Sequence, residues 1–287
     1  MRLLASMPGE HHAIDLLPKP ADLPQSFYWH QIDLLKGDDL ESLMADIRPQ
    51  RLLHLAWITS HGEYWRSLLN FHWVEASLRL LRAFCRAGGT RFVGAGSCAE
   101  YDWKHGFLSE EVTPLNPTTV YGSCKKAMYE LLKQYAEAAN FSYAWGRLFF
   151  LYGPGEHPSR LMPYTISNIA AGRVANFGSG ERIRDYLRVE DAAAAFVKLL
   201  ENDFSGPINI ASGEPVTIRS IVNAIAAELG RSDLVRIGTL PTEKSDPLMI
   251  VGDARKLRLF WSPEFSMQSG LRSMVLDYLK TLDVGKI

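Results

Sequence analysis

Short runs of apolar, β-type residues alternate with longer segments of helical periodicity along most of this chain. This alternation is typical of a parallel sheet covered by helices, because a parallel strand needs a crossover connection before the next strand can pair with it. The predicted strands occupy 51–57, 90–97, 142–154 and 206–212, and the predicted helices occupy 67–89, 116–140, 188–202 and 217–230. The sequence therefore predicts an α/β fold with a doubly wound parallel sheet.

The composition favours a protein that acts on a small molecule. The chain has 287 residues, 47% hydrophobic and 22% charged, with a formal net charge of -1 and no dense basic block. This balance argues against nucleic acid and anionic membranes as partners. No apolar run reaches the roughly 18 residues of a membrane span, and the N-terminus has no signal-peptide core. The three cysteines lack a CxxC spacing and the histidines are scattered, so we expect no disulfide framework, no metal site and a reducing, cytoplasmic location.

An acid–base site is indicated near the end of the predicted strand 90–97. Ser97 ends this strand, and Tyr121 and Lys125 lie four residues apart at the start of the next predicted helix. Residues at i and i+4 share a helix face, so the lysine ammonium can favour the phenolate and lower a tyrosine pKa that is ordinarily about 10. Such a pair can exchange a proton with a substrate hydroxyl or carbonyl, while the serine hydroxyl orients the same oxygen.

Seven short motifs follow one another at a spacing that one protein family shares. They are HLAW (54–57), LLNFHWVEAS (68–77), GAGSCAEY (94–101), YGSCK (121–125), RLFFLYGPGEHP (147–158), RDYLRVEDAAAA (184–195) and NIASGEPVTI (209–218). Together they resemble the extended short-chain dehydrogenases/reductases of the NAD-dependent epimerase/dehydratase family, whose members modify nucleotide-diphosphate sugars. The matching motifs span most of the chain.

This resemblance implies a Rossmann-like fold with a smaller C-terminal substrate-binding domain. Residues 1–153 would form an N-terminally short dinucleotide-binding domain, and 154–287 a sugar-nucleotide-binding domain, with 180–212 packing back on the sheet. The resemblance also implies NAD or NADP as cofactor and a nucleotide-diphosphate sugar as substrate. Family members often form homodimers through the helix that carries the Tyr-x3-Lys motif and the helix before it, so a homodimer is an option for this chain.

The resemblance assigns roles to individual residues as well. Tyr121 would be the acid–base residue, Lys125 would lower its pKa and hold the nicotinamide ribose, and Ser97 would polarise the sugar oxygen. The other residues implied to line the cofactor are Asp33, Leu34, Leu55, Ala56 and Asn70. Those implied to meet the substrate are Cys98, His157 and Arg184, of which Arg184 would bind the diphosphate, a role that suits a planar guanidinium.

Departures from the family pattern narrow the predicted reaction. Members that dehydrate the sugar carry an Asp-Glu pair directly after the Ser/Thr, whereas this chain has Cys98 and Ala99 there, so we do not expect a 4,6-dehydratase. Phe150 replaces the asparagine in the Tyr-Gly-Pro loop of the 4-epimerases. The GSC (96–98) and EHPS (156–159) segments are more similar to the GDP-fucose synthase branch, in which a cysteine and a histidine assist epimerisation before reduction at C4.

We therefore expect an NAD(P)-dependent oxidoreductase or epimerase of nucleotide-diphosphate sugars, most specifically a 4-keto-sugar reductase in deoxysugar or polysaccharide synthesis. Two alternatives stay open at this point. One is a redox-neutral epimerase that keeps its NAD bound throughout. The other is a catalytically silent, nucleotide-sugar-binding remnant.

The glycine-rich turn that would bind the cofactor's pyrophosphate is missing from this sequence. Gly9 is the only glycine among the first thirty-six residues, and no Gly-x-x-Gly-x-x-Gly occurs. Either MRLLAS (1–6) is the first strand with an altered turn, or RLLAS (2–6) is the second strand and the first β-α unit is absent. Spacing favours absence, because QIDLLKGDDLESLMADIRP (31–49) resembles the third strand with its helix, and prolines crowd the interval before it.

Two consequences follow from an absent first unit. We expect impaired NAD(P) binding with the nicotinamide and sugar residues retained, and either a start upstream of Met1 or a truncated member. The residue that selects NAD or NADP follows the second strand. If RLLAS is this strand, the position falls at Ser6 or Met7, and neither of these side chains selects a cofactor.

Overall fold

The computed structural model describes residues 1, 3–37, 39–241 and 245–284. The chain divides into two compact units, each built from segments that are distant in sequence. The first unit comprises 1–102, 114–147 and 193–208, and the second comprises 103–113, 148–192 and 209–287.

The strands and helices predicted between residues 51 and 230 occur in the predicted order, together with further short strands that the sequence did not indicate. The strands are β1 (His11–Asp15), β2 (Phe27–Gln31), β3 (Arg51–His54), β4 (Arg91–Ser97), β5 (Phe107–Leu108), β6 (Ser142–Leu148), β7 (Phe150–Tyr152), β8 (Ala175–Phe177), β9 (Ile183–Arg188), β10 (Gly206–Ile210), β11 (Pro215–Thr217), β12 (Val235–Ile237) and β13 (Met249–Gly252). The α-helices are α1 (Leu40–Ile47), α2 (Leu69–Arg86), α3 (Val120–Ala139), α4 (Leu161–Ala170), α5 (Val189–Glu201), α6 (Ile218–Glu228) and α7 (Met267–Val284). None of the helices in the described part of the chain combines the length and the apolar character that crossing a membrane requires.

A four-stranded sheet in the order β10–β6–β4–β3 forms the centre of the first unit. β3 and β4 are parallel, with Leu53 opposite Val93, and all seven residues of β4 are buried. A strand that is covered on both faces appears in sequence as a continuous run of small and apolar residues. The core beside the sheet is formed mainly by Trp57, Leu81, Phe84, Phe92, Met128, Leu132 and Trp145. The predicted α/β fold is confirmed.

The N-terminal residues differ from both interpretations of the sequence. Of RLLAS, Arg2 lies outside the described residues, and Leu3–Ser6 form no strand, because Leu4–Ser6 is a single 3-10 turn. The strand of this region is β1, which pairs in parallel with β2 so that Asp15 lies opposite Gln31. The third strand was predicted to start at Gln31, whereas β2 ends there, and Asp33 and Leu34 lie in the turn that follows.

β1 and β2 form a sheet of their own, which is separate from the four-stranded sheet. They are joined by residues 16–26, and the described residues before α1 contain no α-helix. Ile14 of β1 and Leu52 of β3 pack against the same core cluster, which includes Leu40 and Met44 of α1 and Leu80 of α2. In the described part of the chain, no glycine-rich strand–turn–helix unit precedes β3.

The single strand predicted over 142–154 is wrong, because two strands occupy this segment. β6 pairs within the four-stranded sheet, whereas β7 pairs in parallel with β9, with Phe150 opposite Tyr186. Phe149 separates the two strands, and its N–H donates to the Ile210 carbonyl (3.2 Å). The apolar run LFFLY (148–152) does not reveal the change of sheet at Phe149.

The second unit is organised around β9. This strand lies between β11 and β13 and also pairs with β7. Asp185 of β9 is fully buried and accepts hydrogen bonds from the Ser212 N–H (2.8 Å), the Ser212 hydroxyl (2.6 Å), the Gly213 N–H (2.9 Å) and the Gly252 N–H (3.1 Å). Burial raises the pKa of Asp185, and these four donors oppose the rise. The aspartate of the RDY motif thus ties β9 to β13 and to the turn after β10.

We predict that Gly122→Ala destabilises the protein by about 1–3 kcal/mol or more, because the added methyl group would overlap the Ala99 carbonyl oxygen. Helix propensity alone would make the same change favourable by roughly 1 kcal/mol. Urea unfolding of the variant and of Ser123→Ala, an exposed neighbour on α3, measures the difference. Equal midpoints for the two variants would contradict the close approach of α3 to Ala99.

Candidate active site

Ser97 lies where β4 ends, and the turn that follows fixes its backbone. Residues Cys98–Glu100 form a 3-10 helix with Ser97 as its N-cap. The Ser97 hydroxyl accepts a hydrogen bond from the Ala99 N–H (3.2 Å), and the Glu100 carboxylate accepts one from the Ser97 N–H (2.8 Å). This reciprocal capping box holds the serine at the carboxyl edge of the strand, where open α/β sheets bind their ligands.

Tyr121 is positioned by the first turn of α3. Thr119 caps the helix by accepting a hydrogen bond from the Gly122 N–H (3.0 Å). The Tyr121 N–H donates to the Trp65 carbonyl (3.2 Å), and the Ser97 side chain is near enough to the Tyr121 hydroxyl to lower its pKa. The two residues that sequence spacing paired therefore meet at one polar point.

Aromatic rings surround the half-buried phenol of Tyr121. The rings of Tyr64 and Trp65 meet it edge-on, at centroid distances of 4.9 Å and 5.6 Å. Burial raises the pKa of Tyr121, the hydrogen bond from Ser97 opposes the rise, and the nearby Tyr64 and Cys98 add to it. The phenol is consequently held in its protonated, hydrogen-bond-donating form until a nearby charge favours the phenolate.

Lys125 places a buried amine one helical turn beyond Tyr121. Its side chain is 4% exposed, and its Nζ donates to the Ala95 carbonyl (2.7 Å). The Nζ lies 3.8 Å from the centroid of the Trp57 ring and 6.0 Å from that of the Tyr121 ring. Burial lowers the pKa of Lys125 to about 7, although Glu100 opposes this effect.

This arrangement can move a proton near neutral pH. Lys125 changes its charge close to pH 7, and its ammonium is near enough to Tyr121 to stabilise a phenolate. Ser97 acts on the same hydroxyl and lowers its pKa. A substrate oxygen placed at this hydroxyl would meet a proton donor whose strength depends on the charge of Lys125.

The residues implied to line the cofactor have diverse surroundings. Leu34 is buried in the cluster of α1 and α2, Ala56 packs against that cluster, and Leu55 is half exposed. The Asp33 carboxylate accepts a hydrogen bond from the Leu35 N–H (3.0 Å). The roles assigned to these residues stay predictions.

Asn70 is fully buried and holds the segment between β3 and α2. Its Oδ1 accepts a hydrogen bond from Trp57 Nε1 (2.8 Å), and its Nδ2 donates to the carbonyls of Tyr64 (2.7 Å) and Ser67 (2.8 Å). This amide therefore fixes the aromatic residues around Tyr121 and Lys125. Its predicted contact with the cofactor stays a prediction.

Of the residues implied to meet the substrate, Cys98 belongs to the first unit. It is buried directly after Ser97, and it acts electrostatically on the Tyr121 hydroxyl. The other two belong to the second unit, where His157 is exposed and its Nδ1 is hydrogen-bonded to Ser159 Oγ (2.8 Å). Arg184 is 5% exposed, and its Nη2 donates to Asp246 Oδ1 (2.7 Å).

The sequence analysis missed a buried carboxylate in the loop after β7. Glu156 forms an ion pair with Arg160 (3.2 Å), and its side chain is 9% exposed. Burial raises the pKa of Glu156 to about 7, although Arg160 opposes the rise. Its Oε2 has no hydrogen-bond partner among the described residues. The sequence of a loop does not show that folding buries one of its carboxylates.

Two further observations concern metal-binding groups and the cysteines. Among the described residues, no group of three or more His, Cys, Asp or Glu side chains is arranged to hold a metal ion. The three cysteines are free thiols.

Comparison with known proteins decides the family. The model of the NAD-dependent epimerase/dehydratase family matches residues 1–211. The chain belongs to this family. The resemblance seen in the seven motifs is thereby confirmed.

Members of the epimerase/dehydratase family with different activities are similar to the chain. A dTDP-glucose 4,6-dehydratase of Neisseria gonorrhoeae is 28% identical, over 93% of this chain and 84% of the relative. A GDP-6-deoxy-D-mannose reductase of Pseudomonas aeruginosa is 24% identical, over 96% of this chain and 92% of the relative. The crystal structure of the Thermus thermophilus UDP-glucose 4-epimerase in complex with NAD superposes with a TM-score of 0.82 at 23% identity, covering 93% of this chain and 90% of that chain. These matches show a nucleotide-sugar enzyme family and a shared fold.

We predict that Lys125→Met changes the pH dependence of stability. In the unfolded chain a lysine keeps its proton up to about pH 10, whereas in the folded protein the pKa of Lys125 is about 7. Between these values the unfolded state binds more protons, so the free energy of unfolding rises with pH. The variant should lose this rise and should gain the most stability, on the order of a few kcal/mol, at pH 7 and below.

Urea unfolding at pH 6, 8 and 9.5 tests this prediction. Lys198→Met, at an exposed position on α5, is the matched control. If Lys125→Met gives a stability profile parallel to that of the control, the amine of Lys125 is not the buried base that the structure describes.

Proposed function

We propose that this protein is an NAD(P)-dependent oxidoreductase of nucleotide-diphosphate sugars, and most specifically a 4-keto-sugar reductase. The arrangement of Ser97, Tyr121 and Lys125 carries this proposal, because it joins a phenol, a hydroxyl and a buried amine at one point. In this proposal 1–153 binds the dinucleotide and 154–287 binds the sugar nucleotide, with 180–212 packing back on the sheet.

Tyr121 is the proton donor of the proposed reaction. When bound, a nicotinamide cofactor supplies the hydride that reduces the keto carbon of the sugar. Tyr121 then donates its hydroxyl proton to the developing alkoxide, and Ser97 hydrogen-bonds the same oxygen and orients it. The ammonium of Lys125 stabilises the phenolate that Tyr121 leaves behind.

The residues of this chain fit the nicotinamide end of the cofactor. An ammonium can donate three hydrogen bonds, and among the described residues the Lys125 amine donates one, to the Ala95 carbonyl. Two donors are left for ribose hydroxyls, on an amine that is buried and flanked by the Trp57 ring. The described residues before β3 contain no glycine-rich strand–turn–helix unit. The residues that would bind the pyrophosphate are therefore not identified.

The end of β1 favours NAD over NADP. In this proposal β1 takes the place of the family's second strand, so the selecting position is Asp15, the last residue of β1, rather than Ser6 or Met7. An acidic side chain after this strand of a dinucleotide fold accepts a ribose hydroxyl and repels a 2′-phosphate. Asp15 Oδ1 accepts a hydrogen bond from the Leu17 N–H (2.9 Å), which leaves its Oδ2 available to a ligand.

The residues after Ser97 favour a reductase over a dehydratase. Cys98 and Ala99 cannot supply the carboxylic acid and carboxylate that eliminate water in the dehydratase pattern. Relatives of both classes are similar to almost the whole chain, so this choice rests on the residues after Ser97. For the sugar nucleotide we propose Arg184 as the diphosphate ligand, His157 as a general acid at the sugar and Cys98 as a side chain beside it.

We predict that Tyr121→Phe lowers the turnover of nucleotide-linked 4-keto-6-deoxy-sugars by about 10²- to 10⁴-fold while leaving their affinity nearly unchanged, because the variant removes only the transferable proton. Consumption of NADH is followed with GDP-, CDP-, dTDP- and UDP-linked substrates. Tyr135→Phe on the same helix is the control, since its ring packs in the core of the first unit.

Three outcomes separate this function from its alternatives. Interconversion of sugar nucleotides without net NADH consumption would favour a redox-neutral epimerase that keeps its NAD. Micromolar binding of a sugar nucleotide without turnover, and no binding of NADH or NADPH at millimolar concentration, would favour a silent sugar-nucleotide-binding protein. Undiminished turnover in Tyr121→Phe would contradict the role of Tyr121.

A further inference from the structure

We propose that Glu100 is a positioning residue of the Ser97–Tyr121–Lys125 site, in which its buried carboxylate fixes the Ser97 backbone and its negative charge acts on Lys125 and Tyr121. The effect of Glu100 on catalysis rests on the proposed function. The effect of its charge on Lys125 and Tyr121 is a property of the protein without substrate.

The Glu100 carboxylate is enclosed and fully hydrogen-bonded. The side chain is 0% exposed. Its Oε1 accepts hydrogen bonds from the Ser97 N–H (2.8 Å) and Trp145 Nε1 (2.9 Å), and its Oε2 accepts one from Arg147 Nε (2.7 Å). A buried charge persists only when it is paired and hydrogen-bonded. Glu100 meets both conditions.

Arg147 is the counter-charge and is itself held in place. Its side chain is 1% exposed, its Nη1 donates to the Tyr101 hydroxyl (3.1 Å), and its guanidinium lies over the rings of Tyr101 and Tyr129 at 4.8 Å and 4.7 Å. The ion pair is buried on both sides, and of the guanidinium nitrogens only Nη2 has no hydrogen-bond partner among the described residues.

Glu100 fixes Ser97 through the backbone. The Ser97 N–H that it binds belongs to the residue whose hydroxyl meets Tyr121. Gly96 is required directly before it, because a Cβ at this position would overlap Trp145 Nε1 and Glu100 Oε1. Movement of the carboxylate would therefore change the orientation of the Ser97 hydroxyl.

Glu100 also acts on the charges of the site. Burial lowers the pKa of Lys125, and Glu100 opposes this effect. Burial raises the pKa of Tyr121, and Glu100 adds to the rise. The other titratable groups that act on this pair are Tyr64, Cys98 and His54. His54 is buried, and its pKa is lowered to about 3 by burial and by Lys125, so at neutral pH it adds no positive charge.

Glu100 thus favours a charged lysine beside a protonated phenol. This combination is the one that a reductase needs before it donates a proton from Tyr121. Without the carboxylate, Lys125 would lose its proton at a lower pH, and fewer molecules would carry the ammonium at pH 7.

The test compares Glu100→Gln with the unchanged protein and with Glu130→Gln, an exposed control on α3. The titration of the Lys125 amine is followed by ¹³C NMR of its Cε, assigned with Lys125→Met. We expect the pKa of Lys125 to fall by at least about one pH unit in Glu100→Gln and to stay constant in the control. An unchanged Lys125 titration in folded Glu100→Gln would overturn the proposal.

A second variant covers the case in which Glu100→Gln does not fold, since it leaves Arg147 as an unpaired buried charge. Glu100→Gln/Arg147→Met removes both charges and should fold. The Lys125 titration should again move to lower pH in this variant, because it lacks the Glu100 charge that opposes the fall in the Lys125 pKa. A titration identical to that of the unchanged protein would overturn the proposal.

Activity measurements separate the two proposals. If the unchanged protein reduces keto sugars, the pH profile of kcat should shift in the variant together with the Lys125 titration, which loss of structure alone would not produce. If the unchanged protein shows no turnover while the Lys125 titration still shifts, the proposed function fails and the electrostatic role of Glu100 stands. Turnover with an unshifted pH profile would leave the function intact and refute the role of Glu100.

Discussion

The close approach of helix α3 to the turn after β4 is the contact on which the candidate site depends. Gly122 allows it, because any Cβ there would overlap the Ala99 carbonyl oxygen. One turn of helix then carries both Tyr121 and Lys125 toward Ser97. The site is therefore built from two rigid elements, a fully buried strand and a twenty-residue helix, which position side chains more accurately than loops do.

Desolvation shifts the pKa values of the side chains at this site away from their ordinary values. Lys125 is surrounded by aromatic rings and one carbonyl, so that burial brings its pKa close to neutrality. The carboxylate of Glu100 limits this change and is itself stabilised by Arg147. Two buried charges, those of Lys125 and Glu100, thus act on each other beside the half-buried phenol of Tyr121.

Local patterns in the sequence predict part of this arrangement, and tertiary contacts decide the rest. A strand end at Ser97 and an i, i+4 pair on a helix are local features, so the meeting of Ser97 with Tyr121 was predictable. Glu100 lies in a recognisable motif, but its pairing with Arg147 joins residues 47 positions apart and leaves no local signal. The N-terminal strand was misplaced because "RLLAS" is apolar enough for a strand, whereas the pairing partner of β2 lies at Asp15 and the residues before it.

The separate β1–β2 sheet bears on which part of the first unit can unfold locally. Two short strands are marginally stable alone in water, and Ile14 of β1, together with Leu35 in the turn after β2, packs on the cluster of α1 and α2. The region is therefore the natural candidate for a low-energy, sub-global opening in which the four-stranded sheet stays folded. A ligand held at Asp15 would then be bound by a part of the molecule that must close around it, and some of its binding free energy would be used to order that part.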